Sequence, residues 1–397
     1  MKTKLLLQFL LICALANAQG TWSQKANFGG TARYVAVGFS IGTKGYMGTG
    51  SDGNTYYKDF WEWDQVANVW TQKAVFGGTA RNAAVGFSIG AKGYIGTGYN
   101  GGTYYQDFWE WDQAANVWTQ KANFGGTARR AAVGFSIGAK GYIGTGNDGA
   151  DKQDFWEWDQ ASNTWTQKAN FGGTARLVAV GFSIGTKGYI GTGYDGAADK
   201  QDFWEWDQAS NTWTQKANFG GTARDGAVGF SIGAKGYIGT GYDGSPYTQD
   251  FWEWDQAANV WTQKANFGGT ARSEAVGFSI GAKGYIGTGY DGANRQDFWE
   301  YCDTCSVVAV NENNIADSFV NIYPNPFSSS TTLHTDKVFK DATLTVYNLF
   351  GQTVKQIDNL AGQTIIFHRD NLPSGLYFIR VTQDGKTFSV DKLVIVD

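Results

Sequence analysis

A tryptophan recurs along this chain at nearly constant intervals, as Trp22, Trp70, Trp118, Trp165, Trp213 and Trp261, with steps of 48, 48, 47, 48 and 48 residues. A period of that size means that one supersecondary unit is copied and that the copies stack. Each copy reads FGGTAR, two residues, AVGFSIG, a KGYIGTG-like segment, a loop of changing length, DFWEWD or its equivalent, a turn, and WTQKA. The segments are short, rich in β-branched and aromatic residues, and punctuated by Gly, Asp or Asn. That predicts four β-strands per unit, A to D from a central axis outward, and no helix.

Such a sheet is apolar on both faces. In DFWEWD, strand alternation sends Trp61 and Trp63 to one face and Phe60 and Glu62 to the other. Stacking units as blades around an axis covers both. Closure can be counted: Gly20 to Ala26 is a lone D-type segment, and the last unit ends after its C-type segment at Asp297 to Tyr301. The first segment therefore completes the sixth blade, and the expected architecture is all-β, a six-bladed propeller over residues 19–305.

Ahead of the repeats, Lys2 and Lys4 precede a run from Leu5 to Leu15 that is apolar except for Gln8, followed by Ala16-Asn17-Ala18. These features predict a signal peptide over residues 1–18, too short to span a bilayer, and a mature chain starting at Gln19 with no membrane span. Cys13 follows Ile12, which is not the small residue that lipoprotein processing wants. Loss of Lys2 and Lys4 takes the formal charge from −4 to −6. That balance offers no electrostatic footing for nucleic acid or an anionic membrane.

The glycines after the second strand, the Arg opening the first, the aromatic-Asp pattern of the third and the Trp of the fourth resemble the kelch repeat. The sequence departs where GTG, as in Gly96 and Gly98, replaces two adjacent glycines, and where Ala replaces the Pro before the Arg. After Cys305 the repeat stops. Residues 306–316 read as a linker, and TLTVYNLFG, TIIFH, GLYFIRVTQ and KTFSVDKLVIV predict a small Ig-like β-sandwich over 317–397, with Asp384-Gly385 as a hairpin turn. Tyr323-Pro324-Asn325-Pro326-Phe327, VYNLFGQTV and GLYFIRV resemble the C-terminal sorting domain of the type IX secretion system of Bacteroidetes. The resemblance implies recognition by that machinery at the outer membrane, removal of the domain, and release or attachment at the cell surface.

Both histidines, His334 and His368, lie in the C-terminal domain. The propeller therefore lacks the residues for a His-based triad, or for the His-ligated copper of the oxidases that share the kelch fold. Cys302 and Cys305 form a Cys-x-x-Cys with too few nearby ligands for zinc, and in an exported chain they are expected to form a disulfide. Asp52, Asp148, Asp195, Asp243 and Asp291 precede Gly in loops, and Asp59, Asp107, Asp154, Asp202, Asp250 and Asp297 open the third strands. Calcium is one reading of these acids; turn and capping chemistry is the simpler one, so no cofactor is expected. Arg33, Arg81, Arg129, Arg176, Arg224 and Arg272 open every blade. They are expected to tie blades together, pairing with Glu62 and its equivalents.

The informative positions are those that differ between copies. Between the invariant FGGTAR and AVGFSIG stand Tyr34-Val35, Asn82-Ala83, Arg130-Ala131, Leu177-Val178, Asp225-Gly226 and Ser273-Glu274. The loop after GTG also changes in sequence and length. In an up-and-down blade both zones fall on one face of the disc, where repeat proteins collect binding residues. Tyr34, Asn82, Arg130, Leu177, Asp225, Ser273 and Glu274, with Tyr99, Tyr194, Tyr242 and Tyr290 as exposed stacking planes, are thus expected to recognise a glycan or a protein without catalysis. Two rivals stand beside this: a sugar isomerase using Asp225, Glu274 and Arg130, as some kelch propellers are, and a structural or adhesive coat protein with no specific ligand.

Overall fold

The computed structural model describes residues 20–303 except 245–246, and residues 320–348, 352–384 and 386–397. The expected signal peptide, the linker, Cys305 and Gly385 lie outside the described residues. Two compact units divide between Ser306 and Val307.

The first blade comprises β2 (Val37–Ile41), β3 (Lys44–Gly48), β4 (Phe60–Asp64) and β5 (Val69–Gln72), hydrogen-bonded in that order. Strands β6 to β21, over residues 85–263, repeat it four times. The sixth blade is β22 (Val276–Ile280), β23 (Lys283–Gly287), β24 (Phe298–Cys302) and then β1 (Thr21–Lys25), so the N-terminal strand closes the ring as the strand count predicts.

The core lies between blades. Val37, Phe39, Tyr46 and Phe60 of blade one pack with Phe76, Ile95 and Trp111 of the next unit, and equivalent clusters recur around the ring. Gly86 and Gly93 face the first blade here: a Cβ on Gly93 would fall 2.4 Å from the Phe39 ring. Glycine in these strands lets neighbouring sheets approach, at a cost in chain entropy that the aromatic burial offsets.

The arginine that opens each blade ties blades together through its backbone, as when Gly50 donates to the Arg81 carbonyl and Arg81 to that of Tyr57, but its side chain has a different partner from the one expected. Arg33 is fully buried and pairs not with Glu62 but with Asp59 of its own blade, at 2.5 and 2.8 Å. It also donates to the carbonyls of Thr31 and Thr49 and lies 4.0 Å from the centre of the Tyr57 ring. A planar guanidinium can serve strand-end carbonyls and a carboxylate together, which Glu62, further along the strand, cannot reach. Glu62 instead accepts from Tyr46 and pairs with Lys73. Among the side-chain links between blades, Gln113 of blade two donates to the Tyr46 hydroxyl at 2.7 Å. The GTG departure also has a structural account: Thr49 takes φ 58°, the left-handed conformation for which a glycine is the usual choice.

The second unit holds β25 (Val320–Tyr323), β26 (Ser330–Tyr347), β27 (Thr353–His368), β28 (Gly375–Gln383) and β29 (Lys386–Ile395). They form one hydrogen-bonded sheet in the order β25-β26-β28-β29, with β27 along β26. Register shifts between His334 and Leu344 break up the β26–β27 ladder. Phe327, Leu333, Phe339, Phe367, Ile379 and Leu393 belong to the core of this unit. The Asn325 side chain bonds the backbone of Lys392 and Val394, and Phe327 is buried, whereas Tyr323 is 78% exposed.

Candidate functional site

The two variable zones of each unit are physically joined. Tyr34 and Ser51 exchange backbone hydrogen bonds of 3.0 and 3.1 Å, and Asn82 with Tyr99, Arg130 with Asn147, Leu177 with Tyr194, Asp225 with Tyr242, and Ser273 with Tyr290 do the same. Each bridge continues the blade toward one face beyond strands A and B. The first variable residue of the pair is thereby held beside the variable loop.

The second residue of each pair turns to the axis. Val35 donates to the Glu274 carbonyl, Ala83 to Val35, Ala131 to Ala83, Val178 to Ala131, Gly226 to Val178 and Glu274 to Gly226, over 2.7 to 3.2 Å. Six backbone bonds thus close a ring across the channel. Its members have φ between 47° and 58°, a strained choice for Val35 and Val178 that closure of the ring enforces. Along the axis, Val35, Ala83, Ala131, Val178, Gly226 and Glu274 line a cavity of ≈ 120 Å³, and a second of ≈ 190 Å³ lies deeper among Ala36, Val37, Gly38 and their equivalents. Sequence reading gave these second residues no such role, because apolar residues, mostly Val and Ala, at positive φ carry none of the glycine signature that normally marks it.

Around this ring the chemistry is uneven. Tyr34, Tyr290, Tyr247 and Tyr242 form a run of neighbouring rings with centroids 5.8, 6.0 and 5.7 Å apart, across blades one, six and five. On blades two and three, the Arg130 guanidinium sits 5.4 Å from the Tyr99 ring, itself 5.1 Å from Tyr104. Asp225 and Glu274 make no side-chain hydrogen bond or ion pair among the described residues. Burial, reinforced by Asp199, pushes the Asp225 carboxyl up to about 6. Burial and then Asp225 push Glu274 up to about 7, with Arg130 pulling the other way. The same glutamate, after burial, raises the phenol of Tyr34.

Most of the expected residues converge here, with corrections. Of the four tyrosines expected to be exposed, Tyr242 is exposed (39%), while Tyr99, Tyr194 and Tyr290 are half-buried between loops. Tyr194 and Tyr242 donate their hydroxyls to the Gly196 and Gly244 carbonyls of their own turns. Ser273 is 7% exposed and lies beneath the rim. Leu177 brings no polar group. Asp199, Tyr104 and Tyr247 were missed: they sit in loops whose unequal lengths remove the register by which copies are compared.

The loop acids bear on calcium. Asp148 pairs with Lys152 at 2.8 Å, Asp291 with Arg295 at 2.7 Å, and Asp195 with Lys200. Asp52 accepts from Tyr57 and from two backbone amides. No group of three or more metal-capable side chains occurs among the described residues. Cys302 is disulfide-bonded; its expected partner, Cys305, lies outside the described residues.

Comparison with known proteins separates the two units. Residues 321–396 match the secretion system C-terminal sorting domain. No curated protein matches the chain. The solved structure of YjhT is similar at 15% identity and a TM-score of 0.60, over 70% of this chain and 95% of its own. At that identity the likeness speaks for the fold, which the six four-stranded sheets already display. The chain is therefore a six-bladed propeller carrying a type IX secretion sorting domain, and it is secreted or attached to the cell surface.

Proposed function

We propose that the propeller is a non-catalytic glycan-binding module presented outside the cell, with its site at the variable mouth of the channel. One observation carries this reading. Among the described residues, five of the buried polar atoms without a partner are the repeated threonine hydroxyls, Oγ1 of Thr49, Thr97, Thr145, Thr192 and Thr240. The other four, Asn82 Oδ1, Arg130 Nε, Asp243 Oδ1 and Asn294 Oδ1, all belong to the variable positions. Buried polar atoms are costly unless satisfied, and a ligand rich in hydroxyls satisfies them. Tyrosine planes beside them suit the apolar faces of sugar rings. A concave mouth with few polar anchors fits a sugar better than the broad surface a protein partner needs.

The test is a glycan array probed with the full mature chain, wild type and Arg130→Ala. Signal on defined glycans that Arg130→Ala abolishes is the expected result. Absence of any glycan signal, or signal indifferent to Arg130, overturns the reading. A second reading rests on the raised carboxyls of Asp225 and Glu274, poised near neutral pH as acid and base for sugar isomerisation need to be. Turnover of a bound sugar, lost in Glu274→Gln, would replace the binding reading with that one.

A further inference from the structure

Charge at the mouth is unbalanced in a way that names part of the ligand. Asp148, Asp195 and Asp291 each have a lysine or arginine within their own loop. Asp199, Asp225 and Glu274 are left without one: no ion pair or side-chain hydrogen bond engages them among the described residues, and Lys200, next to Asp199, pairs with Asp195 instead. Lys152 and Lys200 are committed to Asp148 and Asp195. Arg130 acts on Glu274 electrostatically without forming an ion pair with it.

The Glu274 side chain lies over the neighbouring blade. A Cβ built on Gly226 would lie 3.4 Å from Glu274 Cγ, so the glutamate leans across the one glycine in the ring, toward blade five and Asp225. Tyr34 and Tyr247 both feel its charge, and both touch the ring of Tyr290. Two unpaired carboxylates near a run of tyrosine rings offer an organic cation both ion pairing and the negative faces of aromatic rings. A bare divalent metal would want six or more oxygens, and the described residues cluster no three metal-capable side chains.

Across the mouth, Arg130 Nε is buried with no acceptor and Asn82 Oδ1 with no donor. Resting on the glycan reading, we infer that the mouth binds a sugar residue bearing a free ammonium group, with the ammonium at Glu274 and Asp225 and ring oxygens or hydroxyls at Arg130 and Asn82. Until that cation arrives, burial keeps the two carboxyls partly protonated near neutral pH. Binding an ammonium favours their ionised forms and releases protons. Affinity then rises as pH climbs from 5 to 7, with Arg130, Asp199, Tyr34 and Tyr247 as the other ionisable groups facing the pair.

The experiment is calorimetric titration of the full mature chain with glucosamine hexasaccharide and with its fully N-acetylated counterpart, at pH 5 and pH 7. The free amine should bind about tenfold more tightly than the acetylated form at pH 7, lose about tenfold at pH 5, and release protons. Glu274→Gln and Asp225→Asn, near-isosteric changes, should each remove most of that preference while keeping binding of the acetylated form. Equal affinity for the two forms, or preference for the acetylated one, overturns the ammonium inference and leaves the glycan reading standing. Binding of neither probe, with neutral glycans positive on an array, does the same. Binding of hexalysine as tightly as the amino sugar overturns both, since the mouth would then be a general cation trap.

Discussion

Glu274 of the sixth blade donates its backbone N–H to the Gly226 carbonyl of the fifth over 2.7 Å, and its side chain lies back across the same glycine. Elsewhere in the ring the position of Gly226 holds Val, Ala or Glu at the same positive φ. The backbone therefore accepts a side chain there, and glycine leaves room for Ser273 and Glu274 of the next blade.

Gly226→Ala follows as a test of placement. The new Cβ would meet Ser273 Cβ at 3.2 Å and the Glu274 backbone nitrogen at 3.3 Å, with Glu274 Cγ in ordinary contact at 3.4 Å, so the segment that carries Glu274 must shift by a few tenths of an ångström. Stability should fall by about 1 kcal/mol, since Ala83 and Ala131 already tolerate the conformation. A shift of the segment that carries Glu274 should loosen the burial that pushes its carboxyl up to about 7, and the carboxyl should titrate lower in the variant. Carboxyl carbon NMR reads both states, and an unmoved Glu274 titration would rule out the leaning geometry.

The same carboxyls should tilt the stability profile. An acid whose folded pKa is raised binds more protons when folded, so stability is full below the unfolded pKa and drains as pH rises through the folded one. For Asp225 and Glu274 that window runs from about 4 to about 7. The combined loss should be on the order of 3 kcal/mol after discounting for partial exposure. Thermal midpoints between pH 4 and 7 should therefore decline in the wild type and stay flatter in the Asp225→Asn, Glu274→Gln double variant.

How much of this was legible beforehand depends on what repetition encodes. The blades, their closure through Gly20 to Ala26 and the face that collects variation follow from period and alternation, because stacking is local and identical in every copy. The partner of Arg33 did not follow: choosing Asp59 over Glu62 depends on strand-end geometry that alternation does not express. Nor did the axial ring, since Val35 and Val178 hold a conformation their side chains oppose. Asp199 and Tyr247 stayed hidden because a loop without fixed length has no register to compare.

The buried arginines set the acid limit. Burial pushes the carboxyls of Asp154, Asp202 and Asp297 up, and the two-pronged contact with their arginines more than reverses it. A depressed folded pKa gives stability that is present above the unfolded value, near 4, and lost as pH falls through the folded one. Asp154→Ala should cost about 3–5 kcal/mol, because Arg129, 1% exposed, would keep a buried charge without its carboxylate. Denaturant midpoints at pH 7 and pH 3 check both statements: the variant's deficit should shrink at pH 3.

Deleting residues 317–397 should leave the propeller folded and stop export, since the blades close without that segment and residues 321–396 match a sorting domain. Fractionation of cells expressing the truncated chain reads the outcome. Truncated protein at the cell surface in normal amounts would rule the prediction out.

Removing Gly20 to Ala26 should damage the ring far more than its length implies. Strand β1 pairs residue by residue with β24, from Thr21 opposite Cys302 to Lys25 opposite Phe298. Trp22 packs at 5.1 Å against both Phe251 and Phe267 and at 5.0 Å against Tyr301, while its indole N–H donates to the Ala265 carbonyl. Trp70 makes the same contacts in a blade whose strands are all consecutive, so Trp70→Ala should cost about 3–5 kcal/mol through the cavity alone. Loss of β1 adds an unpaired edge on β24 and leaves the fifth and sixth blades without the strand between them and solvent. The deletion should therefore lower the thermal midpoint more than Trp70→Ala and open the sixth blade to limited proteolysis first. Equal midpoints for the deletion and the wild type, or cleavage spread evenly over all blades, would show that the ring does not depend on this closure.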